Sequence, residues 1–462
     1  MTRYMLALCL IVFGGSAAAQ GVTLPDPVRV ELDNGTTLIL IEKHDVPLIG
    51  LEATVAGGAV ADPPDKHGLA NLLAGLLSKG AGERSAAEFV EAAEAVGGEI
   101  RAAAGREAIY VSADFMAKDA ALMVELLADM LRRPTLAQSE FAKLRERSIN
   151  LIKSAKSSDP SELLSDYANA FLFGDHAYGN PPGGSEASLA AISRSDVVAY
   201  YNDHFGGDRL TVAVSGDFDA MTMQVLLTEA FGDWEAASGE PTTVDAPPPA
   251  AGGRVYLVNK PDATQTYFSI GNVGVARNYA QRAELDLANT VFGGRFTSML
   301  VTELRTKSGL SYSARSSLAR HRQPGSVFIT SFTETGTTVA AIDVALATLG
   351  QFQDAGLDDE MLLSARNYVM GQYPPRFETA AQIAGLYAML ELYGLEKSYV
   401  TEYGANLTAA TTESIAAVID EVYPAPDELV FVLIGDAEKI REQVAQYGDV
   451  TEIDITEPRF HP

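Results

Sequence analysis

The sequence is poor in cysteine: its 462 residues include one, Cys9. Cys9 lies in the first twenty residues, MTRYMLALCLIVFGGSAAAQ, where Arg3 precedes a short apolar run and small residues end the segment at Ala19. This pattern is typical of a secretory signal peptide, residues 1–19, rather than of a membrane anchor, because the apolar run is too short to span a bilayer. We therefore expect an exported, periplasmic protein whose mature form has no cysteine and no membrane span.

Basic residues are also scarce. There are 34 Lys and Arg against 61 Asp and Glu, which gives a formal net charge of −27. A surface this negative repels nucleic acid and anionic membranes and attracts cationic peptides. Nucleic-acid binding is thereby excluded, although solubility alone accounts for most of this charge.

Several common catalytic patterns are missing. The sequence has no Gly-x-Ser-x-Gly elbow, and Gly293-Gly294-Arg295 is not followed by the Lys-Ser/Thr of a phosphate loop. No two histidines are spaced three or four residues apart, so no helical zinc pair can form. The histidines are His44, His67, His176, His204, His321 and His461. We therefore expect no metal bound by this chain alone.

The sequence indicates two duplicated domains joined by a linker. A Pro-, Ala- and Gly-rich stretch, residues 236–253, predicts a linker between an N-terminal domain, residues 20–235, and a C-terminal domain, residues 254–462. Similar segments recur at an offset of about 220 residues, a spacing that indicates an internal repeat. The matched pairs are Gly216 and Gly435 after similar strands, Gly174 and Gly394 after helices, and Glu140 and Glu360 at helix starts.

Strand patterns occur in pairs, and helical patterns are grouped between them. Residues 29–43 alternate around Asp33-Asn34-Gly35, which is a hairpin signal. Further strands are expected at residues 47–57, 99–104, 108–115, 209–215, 254–259, 264–273, 310–319, 326–333 and 429–434. This order predicts an α+β fold of two duplicated domains, each a largely antiparallel sheet packed with helices.

Residues 67–80 read HGLANLLAGLLSKG. This helix resembles the metal-binding helix of the pitrilysin/insulinase family of inverted-zincin metallopeptidases, Gly-Leu-Ala-His-x-x-Glu-His, in which two histidines bind zinc and the glutamate activates water. The resemblance places Asn71 and Gly75 at the histidine positions and Ala74 at the general-base position. It places Leu151, seven residues after Leu144 on a later helix, at the third ligand position. None of these positions therefore carries the zinc ligand or general base of the family, and we call them the lapsed metal-site positions.

Residues 293–317, GGRFTSMLVTELRTKSGLSYSARSS, resemble the most recognisable C-terminal stretch of the same family. The resemblance implies that Arg305 holds substrate oxygens and that the Tyr312 hydroxyl stabilises the oxyanion formed at the scissile carbonyl. A planar guanidinium and a positioned phenol suit these tasks. The alternative interpretation is structural: Arg305 would pair with a local acid such as Glu303, and Tyr312 would be a core residue of a strand.

Some members of the family are heterodimers in which one chain carries the zinc motif and the other the Arg-Tyr pair. The resemblance implies that this chain is the second kind: half of a clamshell, without a cofactor of its own, paired with a homologous zinc-bearing peptidase chain that binds a peptide substrate. A scaffold or peptide-binding protein of the same fold is the main alternative. A stand-alone hydrolase with an unrecognised site is a weaker third hypothesis.

Overall fold

The computed structural model describes residues 23–460 except Pro249. The predicted signal peptide, Cys9 and His461 lie outside the described residues. Within the described part of the chain, no helix is both long enough and apolar enough to cross a bilayer.

The first sheet has six strands in the order β1-β2-β6-β3-β5-β4. These are β1 Val28–Glu31, β2 Thr37–Glu42, β3 Leu48–Ala56, β4 Glu99–Ala104, β5 Ala108–Met116 and β6 Leu210–Gly216. Only the β2–β6 pair is parallel; the other pairs are antiparallel. The β1–β2 hairpin turns at the predicted Asp33-Asn34-Gly35, where Gly35 has the positive φ of 89° that this turn requires.

The second sheet also has six strands, in the order β12-β7-β11-β8-β10-β9. These are β7 Arg254–Asn259, β8 Gln265–Val273, β9 Ala314–Leu318, β10 Ser326–Glu334, β11 Val430–Gly435 and β12 Asp449–Asp454. The predicted equivalence of β6 and β11 is confirmed, because each is third in its sheet, parallel to one neighbour and antiparallel to the other. The edges differ: β1 runs antiparallel to β2, whereas β12 runs parallel to β7.

Helices cover the sheets of both halves. The helices between β3 and β7 are α1 Leu69–Leu77, α2 Ala86–Glu94, α3 Ala120–Arg132, α4 Gln138–Ser158, α5 Leu164–Phe173, α6 Glu186–Ala191, α7 Arg194–His204 and α8 Ala220–Phe231. Those after β8 are α9 Arg282–Asn289, α10 Met299–Val301, α11 Thr338–Ala355, α12 Asp359–Gln372, α13 Ala380–Tyr393, α14 Ser398–Thr401, α15 Tyr403–Ala409, α16 Thr412–Val422 and α17 Ala437–Val444. The α+β prediction of two related sheet-and-helix halves is confirmed.

One helix of each half packs on the sheet of the other. Helix α13 lies on β3 and β6 of the first sheet, and α5 lies on β8 and β11 of the second. The approach of α13 is close: a Cβ added at Gly50 would lie 2.2 Å from the backbone nitrogen of Ala381. On α5, the Phe171 ring stacks on that of Tyr256 with centroids 4.2 Å apart. The halves are thus joined through exchanged helices, which the sequence did not predict.

A buried carboxylate forms a second junction between the halves. Glu107, just before β5, accepts a hydrogen bond of 2.6 Å from the Tyr178 hydroxyl. Its two oxygens also accept the backbone N–H of Arg322, at 3.0 and 3.1 Å, from the turn between β9 and β10. The backbone N–H of Gln323 donates to the Tyr178 hydroxyl at 3.1 Å. This network satisfies a charge that would otherwise be costly to bury.

His321 lies beside this network. Its ring centroid is 4.7 Å from that of Tyr178. Burial, together with the nearby positive charges of Arg106 and Arg277, lowers the pKa of His321 to about 4 against the raising effect of Glu107. The imidazole is therefore neutral at this junction throughout the physiological pH range.

Candidate functional site

Helix α1 carries the three positions at which the resemblance places zinc chemistry. Its N-terminus is fixed by Asp62, whose carboxylate oxygens accept the N–H groups of Gly68 and Ala70 at 2.7 and 2.8 Å. Gly68 has a φ of +97°, which glycine adopts without strain, so the chain can turn sharply into the helix. Burial raises the pKa of Asp62 to about 7 against the lowering effect of these N–H donors.

The three lapsed positions on α1 are buried or half-buried. Ala74 is 1% exposed within the first core, and Asn71 and Gly75 are half-buried on the same helix. The structure brings Gly75 and Leu144 together, since a Cβ added at Gly75 would lie 2.8 Å from Leu144 Cδ2. Helix α4 therefore crosses α1 next to the expected second-histidine position, as the resemblance requires. Leu151, two turns further along α4, is 60% exposed.

These residues do not fit a zinc ion. Alanine, glycine and leucine side chains have no donor atom, and asparagine is a poor ligand for zinc compared with histidine, cysteine and carboxylate. Between residues 23 and 460, Pro249 aside, no three or more His, Cys, Asp or Glu side chains cluster in a way that could hold a metal. We assign no metal-dependent step to the first half of this chain.

The second half presents Arg305 and Tyr312 together at the surface. The Arg305 guanidinium carbon lies 4.2 Å from the centre of the Tyr312 ring and 4.9 Å from that of Phe296. Both rings are largely open to solvent, 72% exposed for Tyr312 and 70% for Phe296. Cation–π contact with two rings orients the guanidinium without an ion pair to a carboxylate. We call these three residues the Arg–Tyr–Phe cluster.

The structural alternative for this pair is wrong on both counts. Glu303 pairs with Lys307, at 2.7 Å, rather than with Arg305. Tyr312 does not belong to a strand, because β9 begins at Ala314 and not at the predicted residue 310. Residues 308–313 instead form a turn in which Gly309 has a φ of +66°. Serine and threonine hydroxyls that hydrogen-bond to the backbone offer its carbonyl groups an alternative to a sheet ladder.

Serine and threonine hydroxyls fix this turn to the neighbouring strand. The Thr333 hydroxyl donates to the carbonyl of Leu310 at 2.7 Å, and the Ser331 hydroxyl donates to the carbonyl of Ser313 at 2.8 Å. The Ser311 hydroxyl donates to the same Ser313 carbonyl at 2.8 Å. Tyr312 is therefore held on both sides, with its ring directed away from the core. A side chain positioned in this way requires little reorganisation before it binds a ligand.

The Arg–Tyr–Phe cluster offers a planar cationic donor and a phenolic hydroxyl side by side. Guanidinium binds carboxylate or carbonyl oxygens in a fork, and a phenol donates to a developing oxyanion. Sequence reasoning identified Arg305 and Tyr312 but missed Phe296. The available signal was an aromatic residue directly after Gly293-Gly294-Arg295, within the stretch that resembles the family.

Two family models match the chain over most of the residues described above. Residues 39–184 match the insulinase model, peptidase family M16, and residues 191–369 match the model of the M16 inactive domain. The first match contains α1 and the second contains the Arg–Tyr–Phe cluster. The chain thus belongs to the insulinase-type family of peptidases, M16, with a peptidase-like scaffold.

Curated relatives and solved structures agree with this assignment. A Mycobacterium leprae protein named as an uncharacterized zinc protease is 30% identical over 66% of this chain and 66% of its own length. A Streptomyces coelicolor protein with the same description is 26% identical over 88% of each chain. This chain spans about two thirds of the length of the Mycobacterium relatives that it matches.

The solved structures show the fold. The crystal structure of a peptidase M16 inactive domain from Pseudomonas fluorescens has a TM-score of 0.82 and 18% identity, covering 88% of this chain and 97% of that one. A protease from Helicobacter pylori has a TM-score of 0.81 and 18% identity, covering 89% and 100%.

Proposed function

We propose that this chain is the zinc-lacking subunit of an exported heterodimeric zinc metallopeptidase. It would supply Arg305 and Tyr312 in trans to a site whose metal is held by a homologous partner chain. The observation that carries the proposal is the contrast between the two halves: the metal positions are occupied by Asn71, Ala74, Gly75 and Leu151, which do not fit zinc, whereas Tyr312 is exposed on a fixed turn beside the Arg305 guanidinium.

The chemistry assigned to this chain is substrate binding and charge stabilisation. Arg305 would donate to carbonyl or carboxylate oxygens of a bound peptide, with its orientation maintained by the Phe296 and Tyr312 rings. The Tyr312 hydroxyl would donate a hydrogen bond to the oxyanion that develops at the scissile carbonyl. Zinc, bound by the partner, supplies Lewis-acid polarisation and an activated water when present.

Electrostatics favours cationic substrates. The net charge of −27 raises the local concentration of basic peptides near the surface and increases their association rate at low ionic strength. The amino-terminal segment supports export and therefore a role outside the cytoplasm, in the periplasm.

Substitution of the tyrosine provides the central test. The chain would be co-expressed with a zinc-bearing homologue from the same organism, and the purified pair assayed for peptide cleavage. Tyr312→Phe should lower kcat by about 10²–10³-fold, the range for loss of one oxyanion donor, with little change in KM. Tyr279→Phe, which also removes a hydroxyl from the second half, is the matched control and should leave kcat close to that of the original pair.

Arg305→Ala should lower kcat and also weaken peptide binding, because the guanidinium contacts substrate before and during the reaction. Arg147→Ala on the exposed face of α4 is its control. Complex formation, measured by size-exclusion chromatography with light scattering, must be unchanged for the comparison to hold. A pair that cleaves peptide equally well with Tyr312→Phe and Arg305→Ala contradicts the catalytic role.

That last outcome would favour the second candidate function, an inert scaffold or peptide-binding protein. Its supporting observation is that all four metal-site positions in α1 and α4 hold residues that do not fit a zinc ion. Alone, the mature chain should bind no stoichiometric zinc and cleave no peptide in either case. One tight zinc per chain in metal analysis would contradict both candidates.

A further inference from the structure

The second half contains a cavity of about 490 Å³ between helices α9, α12 and α13. Helix α9 follows β8 as α1 follows β3, and the first turn of α12 contains Glu360, the repeat partner of Glu140 in the first turn of α4. The cavity therefore occupies the place in the second half that corresponds to the lapsed metal site in the first. Its volume lies within the ordinary range for small-molecule sites.

The side chains around this cavity are strongly cationic. Four arginines line it, Arg277, Arg282, Arg320 and Arg376. Among the described residues of its wall, a carboxylate comes from Asp286 alone. Both oxygens of Asp286 are engaged, one by the Arg320 guanidinium and the other by the Tyr403 hydroxyl at 2.6 Å. One positive charge is thereby compensated.

The other three arginines have no such compensation. Within the described residues, none of them lies within 4.0 Å of a carboxylate oxygen. The Arg282 guanidinium carbon lies 3.5 Å from the Tyr399 ring centre and 4.3 Å from that of Tyr403, so aromatic faces hold it in place. Arg277 is positioned by the Tyr393 ring at 4.4 Å and donates to the carbonyl of Arg320 at 2.8 Å. Arg376 is exposed.

This excess of positive charge runs against the composition of the chain. The protein has a net charge of −27, so an arginine placed at random would usually have carboxylates near it. Keeping three cations together in one concave site costs electrostatic energy unless an anion neutralises them. Guanidinium groups prefer oxyanions, to which they donate two parallel hydrogen bonds.

We propose that this cavity, the arginine pocket, binds a small molecule with two or more oxyanion groups. The shared chemistry is that of a phosphate ester or a polycarboxylate, with Arg282 and Arg277 as positioned donors in the wall and Arg376 as an exposed donor at the rim. Phe296, Arg305 and Tyr312 do not line this cavity, and the proposed binding needs neither a partner chain nor zinc.

Isothermal titration calorimetry of the mature chain with pyrophosphate and with citrate tests the proposal. The buffer would contain no phosphate, and sodium chloride would match the ionic strength of each titration. We expect saturable binding of one molecule per chain. Arg376→Gln should weaken the affinity by about tenfold, the usual loss for one charged hydrogen bond. Arg147→Gln, at an exposed position on α4, should leave the affinity unchanged.

Arg282→Gln provides a second variant, checked for folding by its thermal transition, and should weaken binding by at least as much as Arg376→Gln. If Arg282→Gln fails to fold, the Arg376→Gln and Arg147→Gln comparison decides alone. Binding of pyrophosphate only would assign a phosphate ester, and binding of citrate only a polycarboxylate. Lack of saturable binding by both probes, or equal affinity in Arg376→Gln and the unmodified chain, would overturn the proposal. Neither result bears on cleavage by the heterodimer.

Discussion

His321 should make the folded protein less stable in mild acid. Its pKa is lowered from 6.5 to about 4 in the folded state, so below pH 6.5 the unfolded chain takes up a proton that the folded chain does not. The stability associated with a neutral His321 is complete at pH 7.5 and is lost as the pH falls from about 6.5 towards 4. Between pH 7.5 and 5 the loss amounts to about 2 kcal/mol, at about 1.4 kcal/mol for each pH unit of full difference.

The variant His321→Gln removes the titrating group and retains a polar side chain of similar reach. Urea unfolding of both proteins at several pH values between 7.5 and 5 gives the free energy of unfolding. The stability of the original protein relative to the variant should fall by about 2 kcal/mol across this interval. Two profiles that stay parallel would refute the reasoning, because they would show that His321 binds its proton equally well in both states.

The comparison with the variant is essential, since other buried groups have the opposite effect. Burial raises the pKa of Asp166 to about 6 and that of Asp62 to about 7, so both carboxyl groups favour the folded state as the pH falls. His44 is a useful control of opposite sign. A hydrogen bond with Asp217 raises its pKa, so its contribution is present in acid and is lost as the pH rises. The stability of the original protein relative to His44→Gln should therefore rise, not fall, as the pH is lowered from 7.5 to 5.

Two further predictions concern packing. Gly50→Ala would place a methyl group 2.2 Å from the backbone nitrogen of Ala381. It should lower the free energy of unfolding, measured by urea denaturation, by about 3 kcal/mol, the upper end for overpacked sites. Unchanged stability would show that α13 moves freely on the sheet. The double variant Asn71→His, Gly75→His should still bind no tight zinc in metal analysis, because the third ligand is absent, and should melt at a lower temperature because residue 75 would press on Leu144. A stoichiometric zinc in that variant would mean that another ligand reaches α1.

Local patterns predicted the elements of the fold well. The Asp33-Asn34-Gly35 turn, the strand Arg254–Asn259 and the repeat of β6 in β11 follow from alternation, turn chemistry and a constant offset. Each depends on residues that are close in the chain or identical in both halves.

The misses depend on tertiary contacts that a local sequence pattern does not show. The turn that holds Tyr312 outside β9 is fixed by hydroxyls of Ser331 and Thr333 on β10, which lie about twenty residues further along the chain. Arg305 lies on the π-helical turn Thr302–Lys307, and its guanidinium contacts the Phe296 ring from there, a contact that no local pattern indicates. The hydrophobic pattern of α13 shows that one side is buried but not which of the two sheets covers it.

The exchange of α5 and α13 has a consequence for how the chain can be divided. Each sheet relies on a helix encoded on the other side of the predicted linker at residues 236–253. A gene fragment for either half, expressed alone, would leave one apolar sheet face bare and one apolar helix without a surface to cover, which is the state most prone to aggregation. If both fragments are produced in one cell, each supplies the helix that covers the sheet of the other. A nick in the linker should accordingly leave a single particle that migrates as the uncut protein until denaturant is added.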